Sequence, residues 1–72
     1  MAIEYEATFK VFGRRLEKLR LERGLTQDEL SIEIGISHSY YSRIARGRNI
    51  SLRMMIDISN ALGVTLKDLL DF

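Results

Sequence analysis

The segment Leu25 to Gly47, LTQDELSIEIGISHSYYSRIARG, decides the fold of this chain. Thr26 followed by Glu29 has the spacing of a capping box, in which each side chain accepts a hydrogen bond from the other residue's amide. A helix is therefore predicted to begin near Gln27. Gly35 ends it, because the residue just beyond a helix often adopts a positive φ, which glycine does without a steric clash.

A second short helix follows, with Ser37 as its predicted cap and Gly47 at its end. Tyr41 and Ile44, three residues apart, can face a core. The remaining arc of this helix is polar and basic: His38, Ser39, Tyr40, Ser42, Arg43 and Arg46. Two short helices of this kind indicate a helix-turn-helix whose second helix enters the major groove of DNA. A helical hairpin in a small bundle, polar outside only because water is there, has the same periodicity and stays an alternative.

The charge of the chain is small in total but unevenly distributed. The net charge is +1, yet the segment from Ile34 to Ile56 holds four arginines and no acidic residue, and Lys10 to Arg23 holds six basic residues against two glutamates. A surface polarised in this way can steer a polyanion to one face. The distribution favours nucleic-acid binding over the alternative, a mixed and solvated surface.

Length and composition describe one small globular domain. Seventy-two residues lie near the lower limit for an unaided hydrophobic core, and 46% hydrophobic with 29% charged residues is ordinary for a folded chain. The absence of cysteine and the single histidine exclude a disulfide framework and a cysteine or histidine metal site. No cofactor or small-molecule effector is indicated. The lack of a long apolar run and of signal-peptide features predicts a cytoplasmic protein without a membrane segment.

The rest of the chain completes an all-α fold of five helices. Residues 1–8 are predicted to be a flexible lead-in and residues 9–72 a single domain, whose first helix begins near Phe9 and ends at Gly24. Its apolar residues follow helical spacing: Phe9, Phe12, Leu16 and Leu19. No strand pattern is present.

Two further helices follow the central pair. Ser51 is the predicted cap of helix four, Gly63 ends it, and Thr65 with Asp68 predicts a capping box for a short fifth helix. Helical spacing assigns to the buried side of helix four Leu52, Met55, Ile56, Ser59 and Leu62. Met54 and Met55 are interpreted as core residues instead of a plastic binding surface.

The last helix carries more large apolar residues than a short element can bury: Leu66, Leu69, Leu70 and Phe72. Either a second copy or the molecule's own first helix covers them. One domain also offers DNA a small footprint. We therefore expect a homodimer joined through these residues on a palindromic operator, with recognition helices about one DNA turn (~34–36 Å) apart.

Three segments resemble the lambda repressor and Cro-like (XRE) family of helix-turn-helix domains: FGRRLEKLRLERGLTQDEL, GISHSYYSRIARG and ISLRMMIDISNALGVTLKDLL, together spanning about Phe9 to Leu70. The RNISL segment resembles that of restriction-modification controller proteins, a branch that dimerises through its last helix. The resemblance implies five helices around one core and binding of double-stranded DNA. It implies base contacts by His38, Ser39 and Arg43, and phosphate contacts by Thr26, Gln27, Tyr40, Ser42, Arg46, Arg48 and Asn49.

One departure from the family concerns Arg20. The family usually has a glutamate at the position of Ala45, which in some members pairs with the arginine matching Arg20. A buried arginine without a counter-charge is costly. We therefore expect Arg20 to be solvated, to meet another carboxylate, or to contact phosphate.

Two other classes of function are alternatives to a DNA-binding regulator. An antitoxin-like module would bind a partner protein through the apolar C-terminal residues, with or without binding DNA. An enzyme is the weakest class, because His38 with Ser37 and Ser39 is the one pairing of a base with nucleophiles, and side chains adjacent on a helix diverge. No catalytic residue is predicted.

Overall fold

The computed structural model describes residues 2–72, which form five helices. In chain order they are α1 (Tyr5–Glu22), α2 (Gln27–Ile34), α3 (His38–Ala45), α4 (Leu52–Leu62) and α5 (Leu66–Leu69). No residue from 2 to 72 is in a strand, so the all-α prediction is confirmed. None of these helices is long and apolar enough to cross a bilayer.

Side-chain caps define where the helices start. At the head of α2, the Glu29 amide donates to Thr26 Oγ1 at 3.0 Å and the Thr26 amide donates to Glu29 Oε1 at 2.9 Å, which is the predicted capping box. Ser37 and Ser51 accept from backbone amides in the same way at the heads of α3 and α4. Gly35 has φ 89°, so it ends α2 in the left-handed conformation that glycine favours.

The start of α1 was predicted wrongly, by four residues. The helix begins at Tyr5 instead of Phe9, and Tyr5 is 63% exposed. A helical turn that buries nothing leaves no apolar periodicity in the sequence, so the prediction missed it. Met1 lies outside the described residues, and the flexibility of residues 1–8 stays a prediction.

One core joins all five helices. Of the predicted residues of α1, Phe12, Leu16 and Leu19 are buried in it and Phe9 packs against it partly buried. The core comprises Phe12, Leu16, Leu19, Leu30, Tyr41, Ile44, Ile50, Ile58, Leu62 and Leu69. Helix α3 packs against α1 and α2, which hold it from one side. The approach to α1 is close: a Cβ on Gly13 would lie 2.3 Å from the carbonyl oxygen of Ala45. Helix α3 therefore rests directly on the α1 backbone.

The buried side of α4 was predicted only in part. Ser59 and Leu62 are buried, but Ile58 fills the core in place of Leu52 and Ile56, which are 60% and 43% exposed. Apolar residues occupy two neighbouring arcs of α4, and periodicity alone does not show which arc meets the molecule's own core. Met54 and Met55 are partly buried against the core, as predicted.

The predicted apolar group at the end of the chain divides into two. Leu69 is fully buried, because α5 packs against both α1 and α4, so its assignment to a dimer interface was wrong. Leu70 and Phe72 remain exposed and Leu66 is partly buried. The chain itself thus covers Leu69, whereas most of the group still faces water.

Candidate nucleic-acid interface

The three predicted base-contact residues lie on one side of α3. His38, Ser39 and Arg43 are exposed, whereas Tyr41 and Ile44 on the opposite side are fully buried. The inward pair anchors the helix in the core and fixes its rotation. The polar side of α3 therefore faces outward as the sequence predicted.

Arg43 and Ser39 contact each other one helical turn apart. Arg43 Nη2 donates to Ser39 Oγ at 3.2 Å, and its Nε donates to the Ser39 carbonyl at 3.4 Å. These bonds are exposed and long, so exchanging them for contacts to another acceptor costs little. The guanidinium rests along α3 and can extend from it.

His38 connects the start of α3 to the start of α2. Its Nε2 lies 3.3 Å from Gln27 Oε1, and its Nδ1 lies 3.7 Å from Asp28 Oδ1. A predicted base contact and a predicted phosphate contact, His38 and Gln27, are thus direct neighbours. Asp28 therefore brings a carboxylate to the edge of this surface.

The predicted phosphate contacts surround this outward side of α3. Thr26, Arg46, Arg48 and Asn49 are exposed, and the partly buried members are Gln27, Tyr40 and Ser42. The Arg48 guanidinium carbon lies 5.7 Å from the centre of the Tyr40 ring, within the range of a cation–π contact. This contact places Arg48, from the loop after α3, beside the helix.

The arginines of this surface keep their charge available. Within residues 2–72 the one arginine in an ion pair is Arg20, whose partner is Glu17, so Arg43, Arg46 and Arg48 are not paired with a carboxylate. An anion approaching α3 would therefore meet guanidinium groups that the chain's own carboxylates do not neutralise.

Glu17 accepts more side-chain hydrogen bonds than the sequence suggested, since the sequence analysis only counted it as one of two glutamates among the basic residues from Lys10 to Arg23. Its carboxylate accepts from Arg20 Nε at 2.8 Å, from Gln27 Nε2 at 2.7 Å and from the Tyr41 hydroxyl at 2.7 Å. Arg20 also donates to the carbonyl of Leu25 at 2.5 Å. Of the three outcomes expected for Arg20, the meeting with another carboxylate is confirmed. The signal was present in the sequence, since Glu17 precedes Arg20 by three residues on one helical face.

These contacts fix the charges of the group. Burial pushes the pKa of Glu17 upward, but hydrogen bonds from Arg20, Tyr41 and Gln27 together outweigh it and hold that pKa below its ordinary value of 4.5. The hydrogen bond to Glu17 raises the pKa of Arg20. Burial, and then the bond to Glu17, raise the pKa of the Tyr41 phenol. At neutral pH a carboxylate therefore faces a guanidinium and a neutral hydroxyl.

A family model described as "Helix-turn-helix" matches residues 16–69, which include the last seven residues of α1 and all of α2 to α5. The chain belongs to the XRE family of helix-turn-helix DNA-binding domains. One relative, the HTH-type transcriptional regulator SlrR from Bacillus subtilis, is 35% identical over 63 residues, which cover 85% of this chain and 41% of that one.

Several of the relatives are controller proteins. Control protein C.BamHI from Bacillus amyloliquefaciens is 44% identical over 64 residues, which cover 86% of this chain and 79% of the relative. Control protein C.MunI from Mycoplasma sp is 43% identical over 60 residues, covering 81% of each. The resemblance to controller proteins noted from the RNISL segment is therefore confirmed.

Solved structures of a controller protein and of a gene regulator are similar to this chain as well. The restriction-modification controller protein C.AhdI from Aeromonas hydrophila superposes with a TM-score of 0.84 at 36% identity, covering 88% of this chain and 97% of that one. The clp gene regulator ClgR from Corynebacterium glutamicum gives a TM-score of 0.84 at 28% identity, with 89% and 84% covered. The five-helix architecture is thus shared along nearly the whole chain.

Proposed function

We propose that this protein is a sequence-specific transcriptional regulator that binds a palindromic operator as a homodimer, with α3 in the major groove. The observation that carries the proposal is the outward side of α3. It exposes His38, Ser39 and Arg43 on a helix whose rotation is fixed by two buried residues, and the nearby arginines make no ion pair within residues 2–72. A helix of this kind fits the major groove, and its family binds DNA.

The base-reading role falls mainly to Arg43. A guanidinium can donate two hydrogen bonds to O6 and N7 of guanine, a pairing worth roughly 1–3 kcal/mol of discrimination. The Arg43 guanidinium lies 3.2 Å from the Ser39 hydroxyl, so the two side chains would contact neighbouring base steps. His38, at the start of α3, would contact the step on the other side.

Phosphate contacts would supply affinity and set the register of α3. The group proposed for this role lies around the base-reading residues and consists of Thr26, Gln27, Tyr40, Ser42, Arg46, Arg48 and Asn49. Such contacts carry little sequence information and weaken as salt is added.

The proposed dimer interface lies at the other end of the chain. Helices α4 and α5 pack against each other; Leu52 and Ile56 of α4 and Leu70 and Phe72 after α5 are exposed, and Leu66 of α5 is partly buried. We call this set the C-terminal apolar surface: Leu52, Ile56, Leu66, Leu70 and Phe72. A second copy would cover the same surface on both partners around a twofold axis, which matches the symmetry of a palindromic operator.

Selection of bound oligonucleotides from a random pool, at low and high salt, tests the proposal. We expect an inverted repeat whose half-sites are centred about one DNA turn apart, and a dimer by analytical ultracentrifugation. Failure to enrich any sequence at either salt concentration would overturn it.

The relatives named above come from bacteria, whose DNA lies in the cytoplasm, and we propose that the protein acts there.

The C-terminal apolar surface also supports a second candidate, an antitoxin-like module that binds another protein. In that case the purified chain would be a monomer at high micromolar concentration. A partner protein of defined stoichiometry would purify with it from its native host and dissociate when the surface is mutated.

A further inference from the structure

The Glu17 carboxylate joins three helices directly. It lies on α1, and it accepts hydrogen bonds from Gln27 Nε2 of α2 and from the Tyr41 hydroxyl of α3, each at 2.7 Å. Arg20 donates to the same carboxylate from Nε at 2.8 Å and from Nη2 at 3.2 Å. The second anchor of Arg20, on the carbonyl of Leu25, ties the group to the loop before α2. Glu17 is therefore held from several directions and has little room to move.

Glu17 decides which way the side-chain amide of Gln27 points. An ionised carboxylate can only accept hydrogen bonds, so it takes the Nε2 end of the amide. The Oε1 end then faces His38, whose Nε2 lies 3.3 Å away. Because Oε1 can only accept, that histidine nitrogen must carry the hydrogen. A residue of α1 thereby sets the orientation of a side chain at the start of α3, two hydrogen bonds away.

We propose that Glu17 is a positioning residue for DNA recognition, acting on His38 through the amide of Gln27. The proposal rests on the proposed function, in which His38 contacts a base edge. Glu17 is itself assigned no DNA contact. Without its carboxylate the Gln27 amide can turn by half a rotation and present a donor to His38, which releases the histidine ring from its fixed orientation. The base step read by His38 then loses discrimination, while the steps read by Arg43 keep theirs.

Glu17→Gln tests whether Glu17 acts on His38 through the amide of Gln27, and Tyr41→Phe is its matched control. The glutamine offers one acceptor oxygen to the donors of Arg20, Tyr41 and Gln27 and turns a donor toward them, so the Gln27 amide loses its fixed partner. Tyr41→Phe removes one hydrogen bond from the same carboxylate and leaves the bond to Gln27 in place. Glu17→Asp, which keeps the charge and withdraws the carboxylate by one methylene, replaces Glu17→Gln if that variant does not fold.

The measurement is the affinity for the selected operator relative to operators altered one base step at a time. In Glu17→Gln we expect discrimination at one step of each half-site to fall roughly fivefold or more. The other steps should stay within about twofold, and Tyr41→Phe should keep the wild-type profile at every step. Removing a negative charge raises affinity for all sequences, so the ratio between operators is the readout.

Nuclear magnetic resonance of the protein without DNA separates this inference from the proposed function. The side-chain amide signals of Gln27 and the ring signals of His38 should move in Glu17→Gln and stay in place in Tyr41→Phe. A folded Glu17→Gln that keeps the wild-type signals or the wild-type operator profile would overturn the positioning role, while operator binding by the wild type would stand. A wild type that selects no DNA would overturn the proposed function and this role with it, whatever the spectra show.

Discussion

Arg43 is the proposed base-reading residue, and in the protein without DNA its side chain lies along its own helix. In the protein alone its guanidinium lies on Ser39, through two long and exposed hydrogen bonds. The chain's own carboxylates do not pair with it within residues 2–72. A guanine edge offers two better-aligned acceptors, so extension toward DNA exchanges weak bonds for stronger ones.

Replacing Arg43 with Ala should therefore reduce sequence preference more than affinity for arbitrary DNA. We expect the free-energy difference between the selected operator and one altered at the contacted guanine to shrink by roughly 1–3 kcal/mol. Arg46→Ala is the control, because a lost phosphate contact should weaken all sequences alike and reduce the salt dependence by about one ion. Fluorescence anisotropy with matched oligonucleotides measures both. Unchanged discrimination in Arg43→Ala would exclude it as the base-reading arginine.

The hydrogen bonds of Glu17 also lead to a prediction about how the stability of the fold depends on pH. Its pKa in the folded protein lies below the ordinary value of 4.5, because the hydrogen bonds from its neighbours outweigh its burial. The resulting stabilisation is present above pH 4.5 and is lost as the pH falls through the folded pKa. We expect urea unfolding midpoints to drop on that acid side, and to drop less in Glu17→Gln.

The exposed capping residues Glu29 and Asp68 also have lowered pKa values and contribute in the same pH range. Both proteins contain Glu29 and Asp68, so the difference between their urea unfolding midpoints removes the contribution of these two residues. If both proteins lost stability in parallel below pH 4.5, Glu17 would not be coupled to the fold as its hydrogen bonds indicate.

At the scale of elements, the helix starts follow from contacts within four residues. Thr26, Ser37, Ser51 and Thr65 each accept a hydrogen bond from the amide three positions later. The sequence contains every group that makes these bonds, so the starts of α2 to α5 could be predicted from it. The start of α1 could not, since Glu4 at its head makes no side-chain cap.

Thr26 has a structural role and a proposed DNA contact, and these can be separated. Thr26→Ala should cost about 1 kcal/mol of unfolding free energy through the lost cap, and should also weaken operator binding. Ser51→Ala removes the matching cap from α4, a helix without a proposed DNA contact, and should cost a similar amount of stability with little effect on binding. Thermal unfolding and operator titration of both variants provide the measurements. Equal loss of binding in the two would show that Thr26 acts through stability alone.

The molecule presents two surfaces of different chemical character. The outward side of α3 is polar and basic, whereas the C-terminal apolar surface exposes Leu52, Ile56 and Phe72 to water. A domain of 72 residues buries a small core, and a second copy would add to it. Dimer formation and operator symmetry are thus expected to depend on the C-terminal apolar surface, which includes none of the proposed DNA contacts.

Changing both Leu52 and Ile56 to Glu should abolish the dimer, because each charge would have to be buried against its own symmetry mate or close to it. Both positions are exposed in one copy, so the fold should be retained. Ile32→Glu, at a 70% exposed position on α2, is the matched control and should remain dimeric. Sedimentation equilibrium at one protein concentration decides the result. A double variant that still sediments as a dimer would place the interface elsewhere.

The sequence by itself determined the helices and the outward side of α3, because caps and apolar periodicity are properties of neighbouring residues. Only the tertiary structure decided which apolar residues of α4 and α5 are interior, since Ile58 and Leu69 are buried by helices distant in the chain. It also decided the partners of Glu17, which lie 10 and 24 residues away at Gln27 and Tyr41. Contacts over such separations depend on how the helices pack against one another, and no local pattern encodes that.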